Sequence, residues 1–480
     1  MNVKLNKTIL RNKIHGCWIG KNIGGTMGAP FEGKRDMNDI NGFSSPKGEP
    51  LPNDDLDLQL VWLKAMEQVG PYSLSANILG EYWLTHISPH WNEYGIGKGN
   101  MEQGILPTLS GELFNDDWKH SNGAWIRSEI WACLAPGFPN IAIKYAIMDA
   151  CIDHGISEGT YAEVFTAALE SIAFIESDIR TVIEQALTFI PDDSRVAKCV
   201  RLVLSEYDKK TPYSEVRELL VKETSDLGWF QAPANVGFTI IGLIYGEGDF
   251  KKSLIYAINC GDDTDCTAAT CGAILGIIYG ADRIPNELKD YIGDKIVTIC
   301  INACYREQIP SSCFELTEKV IKMIPTVLNT HNIYMEYTEG EVEYDKKESF
   351  NVLNKYAFDY FKRNSRSFEI SNGHFLRAVV EYEKDPVISA GDNFKVKIIF
   401  HHLYEQTLIT NIQLNLPEGW NAEYRKSVFI YYNNQKPRSG HPYELVINVG
   451  EDVRARNNIT IAVTTLLNPL PLYIPITLLG

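Results

Sequence analysis

Apolar positions recur at helical spacing up to about residue 330 and at alternate positions thereafter. Leu58, Val61, Trp62, Ala65, Met66 and Val69 stand three and four residues apart, which predicts an amphipathic helix beginning at the acids before it. The same texture predicts helices over 161–174, 179–189 and 213–224, and a buried one over 236–245 behind the loop Gln231-Ala232-Pro233-Ala234-Asn235. Two segments carry small residues in fours: Gly16, Gly20, Gly24 and Gly28 in one, Ala268, Gly272, Gly276 and Gly280 in the other. On a helix each set forms a single stripe. Glycine costs a helix about 1 kcal/mol against alanine, so each stripe implies a second backbone packed close to it. A membrane dimer is not the reason, because the apolar segments are too short to span and acids flank the second one at Asp262, Asp263, Asp265 and Asp282.

Beyond residue 330 the period changes to two. Phe394, Val396 and Ile398 alternate with Lys395 and Lys397; Ile412, Leu414 and Leu416 with Gln413 and Asn415; Ile459, Ile461 and Val463 with Thr460 and Ala462. Turn residues separate these runs, as in Pro417-Glu418-Gly419, Asn433-Asn434 and Lys436-Pro437. The expected plan is an all-α domain over 1–330, a connector over 331–365 mixing strand-like Ile333 to Val342 with a charged helical stretch, and an immunoglobulin-like β-sandwich over 366–480. Tyr404, Trp420, Phe429, Tyr431 and Tyr432 read most cheaply as sandwich packing or interface.

Composition narrows the partners. In 480 residues, 45 basic and 61 acidic side chains give a net charge of −16, which disfavours a nucleic-acid polymer or an anionic membrane as the main partner. No stretch is apolar for long enough to cross a bilayer, and the polar, basic start from Met1 to Ile14 lacks the apolar core of a secretion signal, so a cytoplasmic location is expected. Ten cysteines lie between Cys17 and Cys313 with no CxxC pair, a pattern of reduced core thiols rather than of structural zinc or a disulfide framework.

The chemistry concentrates in two acidic runs. Cys260-Gly261-Asp262-Asp263-Thr264-Asp265-Cys266-Thr267 leads directly into the second glycine-striped helix, where unpaired carboxylates are costly unless cations or hydrogen-bond donors satisfy them. Asn53-Asp54-Asp55-Leu56-Asp57 stands at the start of the Leu58 helix. One acid or asparagine suffices to cap a helix, and here there are four. An EF-hand is excluded because its loop glycine and terminal glutamate are missing at their offsets. A divalent-metal site is the expectation.

Gly20 to Glu32, Asn53-Asp54-Asp55, Asn122-Gly123-Ala124 with Arg127, and Gly261 to Cys266 with the small-residue helix after them resemble, in order and separation over about residues 12–330, the ADP-ribosylglycohydrolase family. The resemblance implies an all-α, orthogonally packed catalytic domain with a centre of two magnesium or manganese ions in a cleft between helices. It implies metal ligands at Asn53, Asp54, Asp55, Asp263, Asp265 and Cys266, a catalytic role for Glu32 and Asp263, and a ligand cleft lined by Asn122, Gly123, Arg127 and His154. Hydrolysis of an N- or O-glycosidic bond to ADP-ribose or a related ribosyl compound would follow, on an ADP-ribosylated protein or a small ADP-ribose-like substrate. Three positions depart from the family pattern: Asn53 and Cys266 replace threonines, and Gly25 stands where aspartate is frequent. Cysteine is a soft donor and magnesium a hard ion, so Asp57, Asp262 or Thr267 are candidate compensations.

Two other readings stand beside this one. Asp263-Thr264-Asp265-Cys266-Thr267 also fits the DxDxT run of haloacid-dehalogenase-like phosphatases, with Asp263 as nucleophile; that fold requires a parallel strand immediately before the motif, which Leu254 to Ile258 would have to supply. The third is a non-catalytic binding or structural homologue with an altered metal site. Asn235 is a further candidate for the cleft.

Overall fold

The computed structural model describes residues 1–340, 342–372, 376–431, 441–466 and 470–480. The turns expected at Asn433-Asn434 and Lys436-Pro437, and Tyr432, lie outside these residues.

Helices build the chain from Lys7 to Asn329. The two glycine stripes meet each other. The helix Lys7–Gly28 runs antiparallel to Thr264–Tyr279, and a Cβ placed on Gly16, Gly20, Gly24 or Gly28 would strike the backbone carbonyl of Gly276, Gly272, Ala268 or Thr264 respectively. Only residues without a side chain permit this approach, and it brings the C-terminal end of one helix beside the acidic N-terminal end of the other. Thr264 Oγ1 ties the junction by donating to Gly28 O at 2.9 Å. The helix Asp54–Val69 starts at Asn53, whose Oδ1 accepts from Asp55 N at 2.7 Å. Helices over Glu158–Ala173, Ile179–Ala186, Tyr213–Glu223 and Ala232–Tyr245 agree with the periodicity. The segment required as a strand by the phosphatase reading is instead the helix Phe250–Asn259, whose Leu254, Ala257 and Ile258 share one buried face at helical spacing. No parallel strand leads into Asp263, which removes that reading.

The strands are β1 (Asn2–Asn6), β2 (Tyr334–Thr338), β3 (Ser367–Asn372), β4 (Leu376–Tyr382), β5 (Asn393–His402), β6 (Leu408–Asn415), β7 (Asn421–Glu423), β8 (Ser427–Ile430), β9 (His441–Asn448), β10 (Arg456–Thr465) and β11 (Leu472–Leu479). β1 and β2 form a parallel pair in the register Asn2 to Tyr334, so the expected connector is partly a strand stitched to the chain's first residues, followed by short helices Lys346–Asn351 and Tyr356–Phe361. The rest form two antiparallel sheets, ordered β11-β10-β6-β8 and β3-β4-β5-β9-β7. Phe394, Val396 and Ile398 of one and Ile459, Ile461 and Val463 of the other enter one shared core, which makes the pair a β-sandwich. Ile105, Leu109 and Leu113 of the helical region join that core, and Thr108 N donates to Ser367 O at 3.2 Å, so the two halves pack through a continuous apolar contact.

Candidate active site

The junction of the glycine-striped helices and the start of Asp54–Val69 gathers the two acidic runs. Asp55, Asp263, Asp265 and Cys266 are buried, Asp54 is half-buried, and Glu32 stands exposed at the rim where the turn Ala29–Phe31 ends. Two groups of donor atoms lie within 4.8 Å of one another: Glu32, Asp263 and Asp265, and Asp55, Asp265 and Cys266. Asp265 belongs to both.

The carboxylates are held in place but left short of partners. Asn122 Nδ2 donates to Asp263 Oδ2 at 2.8 Å, and Asn122 Oδ1 accepts from Trp125 Nε1 at 2.9 Å. Asp263 N donates to Asn235 Oδ1 at 3.1 Å, while the Asn235 amide donates to the carbonyls of Trp229 and Gln231. Asp263 Oδ1, Asp265 Oδ1 and Asp55 Oδ2 are buried without a hydrogen-bond donor. Burial, then the Asp265 carboxylate, raises Asp263 far above the ordinary carboxylate range and Asp54 to about 6. Desolvation of the Glu32 carboxyl, then Asp265 and Asp54, pushes Glu32 to about 8. Buried like charges with orphaned oxygens are the condition a hard divalent cation relieves, so the residues present fit such an ion.

Not every expected ligand is free to serve. Asn53 spends its Oδ1 on the Asp55 amide, and its Nδ2, a donor that a cation repels, faces the space a Cβ on Gly25 would fill. Cys266 is a protonated thiol: burial first, then Asp263 and Asp265, raise its pKa, and Sγ donates to Asp55 Oδ1 at 3.5 Å. Asp54 faces the cluster without entering either close group. None of the proposed compensations replaces Cys266. Asp57 Oδ2 accepts from the Ile299 N–H at 2.7 Å and from the Cys300 N–H; Thr267 Oγ1 donates back to Thr264 O at 3.3 Å; Asp262, in a left-handed conformation with φ +60°, faces Arg35 at 3.9 Å.

Arg127 and His154 are fully buried beneath the cleft wall. Arg127 donates from Nε to Asp149 at 2.8 Å, from Nη2 to Asp153 at 2.7 Å and from Nη1 to Gly123 O at 2.6 Å, with its guanidinium 4.8 Å from the Trp83 ring centre. All its faces are occupied by protein, so it fixes the Asn122-Gly123 loop rather than presenting charge to a ligand. Burial alone would raise Asp153, but Arg127 and His154 hold it below the usual range. His154 Nδ1 lies 2.8 Å from Asp153, and its Nε2 is 3.2 Å from Ser121 Oγ. Gly123 backs onto Glu93, which burial, then Asp153, pushes to about 8.

Lys21, Gln59, Glu129 and Asn235 complete the site, and only Asn235 stood out beforehand. Lys21 Nζ, fully buried, donates to Glu129 Oε1 and to Ile126 O at 2.7 Å each and lies 3.6 Å from Asp55 Oδ2. Burial alone would lower its pKa, but Glu129 and Asp55 hold it above the ordinary value. Gln59 donates to Asp55 O at 2.7 Å and to Glu129 Oε2 at 2.8 Å. The signal for Lys21 was present: a lysine inside a glycine-striped apolar helix has no solvent face to occupy.

Converging helices with uncompensated buried carboxylates make this a helical domain with a candidate cation site. The chain belongs to the ADP-ribosylglycohydrolase family, whose model matches residues 6–321. A protein of Archaeoglobus fulgidus, described as an uncharacterized protein, is 23% identical over 331 residues, covering 65% of this chain and 100% of the relative. Among solved structures, a FixG-related protein from Vibrio parahaemolyticus is similar at 7% identity and TM-score 0.19, covering 22% of this chain and 97% of that one. The GAE domain of GGA2p from Saccharomyces cerevisiae is similar at 14% identity and TM-score 0.17, covering 23% of this chain and 96% of that one. Among the described residues no helix is long and apolar enough to cross a membrane.

Proposed function

We propose that this chain is a divalent-metal-dependent glycohydrolase that cleaves an N- or O-glycosidic bond to ADP-ribose or a related ribosyl group. The observation that carries the reading is the pair of acid groups sharing Asp265, in which Asp55 Oδ2, Asp263 Oδ1 and Asp265 Oδ1 are buried with no hydrogen-bond donor among the described residues. Asp263 and Asp265, with Asp55 on the far side, would hold magnesium or manganese; bound there, the metal would supply fixed positive charge to orient the ribose hydroxyls and the attacking water.

The chain's own residues account for the rest of the chemistry. Glu32 stands at the rim in the same close group as Asp263 and Asp265, where its carboxylate can help hold the metal or take a proton from the attacking water. Positive charge grows on the ribose ring as the bond breaks, and the Asp263 and Asp265 carboxylates, held by Asn122 and by the Asn235 contact to the Asp263 amide, are placed to stabilise it. Arg127 and His154 act from behind the cleft by fixing the Gly123 and Ser121 loop. The net charge of −16 disfavours a nucleic-acid polymer and leaves open a small anionic ADP-ribosyl group held through the metal.

The test is release of free ADP-ribose from guanidine-linked and serine-linked ADP-ribosyl peptides, followed by chromatography with and without manganese. Release that requires the metal and disappears in Asp263→Asn is the expected result. Metal-loaded, folded protein that releases nothing from either linkage would leave a binding role.

A further inference from the structure

The two acid groups at the cleft differ in what already surrounds them. Around Glu32, Asp263 and Asp265 no described lysine, arginine or histidine comes within ion-pair distance, and Asp263 Oδ1 and Asp265 Oδ1 face no donor. Around Asp55 the protein has supplied its own partners. Oδ1 receives the Cys266 thiol at 3.5 Å, and Oδ2 faces the Lys21 ammonium at 3.6 Å. Lys21 is not a swinging side chain. Glu129 Oε1 and Ile126 O grip it at 2.7 Å each, Gln59 clamps Glu129 at 2.8 Å, and the Gln59 amide in turn holds Asp55 O at 2.7 Å. Packing of Gly20 and Gly24 against Gly272 and Ala268 fixes the helix that carries Lys21.

Resting on the reading that this cleft is a metal-dependent site, we propose that it takes one hard divalent cation, at Glu32, Asp263 and Asp265, and that Lys21 supplies the positive charge at Asp55. A second divalent ion at Asp55, Asp265 and Cys266 would meet a sulfur donor, a soft partner for a hard ion. It would also stand next to a fixed ammonium that shares the same carboxylate, so its charge would be repelled at contact distance in a medium that screens poorly. Lys21 is thus a positioning residue: its ammonium, 3.6 Å from Oδ2, holds the Asp55 carboxyl beside Asp265 without itself touching substrate.

The test is the number of manganese ions bound by the metal-free protein, from calorimetry together with electron paramagnetic resonance, with no substrate present. One ion per chain and an isolated six-line signal are expected. Anomalous scattering from a manganese-soaked crystal should place that ion against Asp263 and Asp265. Lys21→Met would strand Glu129 in the interior, so the informative variant is Lys21→Met with Glu129→Gln and Cys266→Thr, checked for folding by circular dichroism. It should bind a second ion and show the broadened signal of two coupled ions. Two ions in the unmodified protein would overturn the inference while leaving the glycohydrolase reading intact. A folded triple variant that still binds one ion would overturn the role given to Lys21. No ion at millimolar manganese would remove the metal-dependent reading itself, and an ion located at Asp55 instead of Asp263 would reverse the assignment.

Discussion

At the scale of single residues, the site is a set of acids held by amides. Asn122 makes the clearest case, because one side chain joins Asp263 Oδ2 to the Trp125 indole. Asn122→Ala should weaken manganese binding by about 10- to 100-fold, the usual cost of losing a group that orients a metal ligand, with little change in thermal stability; titration calorimetry reads both the affinity and the ion count. Arg127 belongs to a different category. Breaking a buried, fully bonded cation leaves Asp149 and Asp153 uncompensated, so Arg127→Met should destabilise by about 3–5 kcal/mol in chemical denaturation, a loss of fold rather than of ligand affinity. Asp54, Asp55, Asp263 and Asp265 were readable because two dense acidic runs at helix starts exceed what capping requires. Lys21 is marked by its place in a glycine-striped apolar helix, but its partner Glu129, and Gln59 with it, are not readable, because their meaning lies in contacts between segments separated by 70 to 108 positions. Arg127 was readable as important, but its orientation depends on Asp149 at the end of a later helix and on Asp153 in the turn after it.

At the scale of elements, the glycine stripes decide where the acids go. Both were visible from spacing alone, and their pairing follows because each needs a partner backbone that lacks a side chain. Gly20→Ala sets two effects against each other. Alanine gains up to about 1 kcal/mol in helix propensity, but the new Cβ meets the Gly272 carbonyl, and main chain cannot yield as a flexible side chain does. The clash should win, with a net loss of about 1–3 kcal/mol and weaker manganese binding as Thr264–Tyr279 shifts. Gly99, inside the helix Asn92–Glu102 with open space where a Cβ would stand, provides the contrast: Gly99→Ala should stabilise by up to about 1 kcal/mol. Denaturant midpoints for the two variants compare clash against propensity directly. The short apolar run Leu254 to Ile258 shows the limit of pattern reading, since five residues suit a strand or a helix and its packing against neighbouring helices chose the latter. The parallel pairing of β1 with β2 was equally hidden, because it joins positions about 330 residues apart for which local pattern carries no information.

At the scale of the whole molecule, the helical half stores charge repulsion while the sandwich is bound to it through ordinary apolar packing around Ile105, Leu109 and Leu113. That stored repulsion should make the metal-free protein unusually sensitive to pH. Burial raises Asp57 to about 7 and Glu93 to about 8, whereas both titrate near 4 in the unfolded chain. Between those limits the folded state holds more protons than the unfolded one, so stability is greatest below the unfolded pKa and falls as pH rises toward the folded values. Each such group contributes a slope of up to about 1.4 kcal/mol per pH unit. His120 and His331 act in the opposite direction, since burial lowers each to about 4, but their effect is confined to pH below about 6.5. From pH 6.5 to 8, therefore, the acids decide the sign, and the metal-free protein should lose several degrees of melting temperature as pH rises. Glu93→Gln should flatten that decline, because the amide no longer has a proton to lose, while Asp263→Asn should abolish the protection that manganese gives at pH 8. Manganese at a thousandfold excess over its dissociation constant should return about 4 kcal/mol at pH 8. The return should shrink toward pH 6, where protons compete for the same carboxylates. A melting temperature that rises with pH across this window, with or without metal, would mean that the buried acids are already neutralised from within the protein.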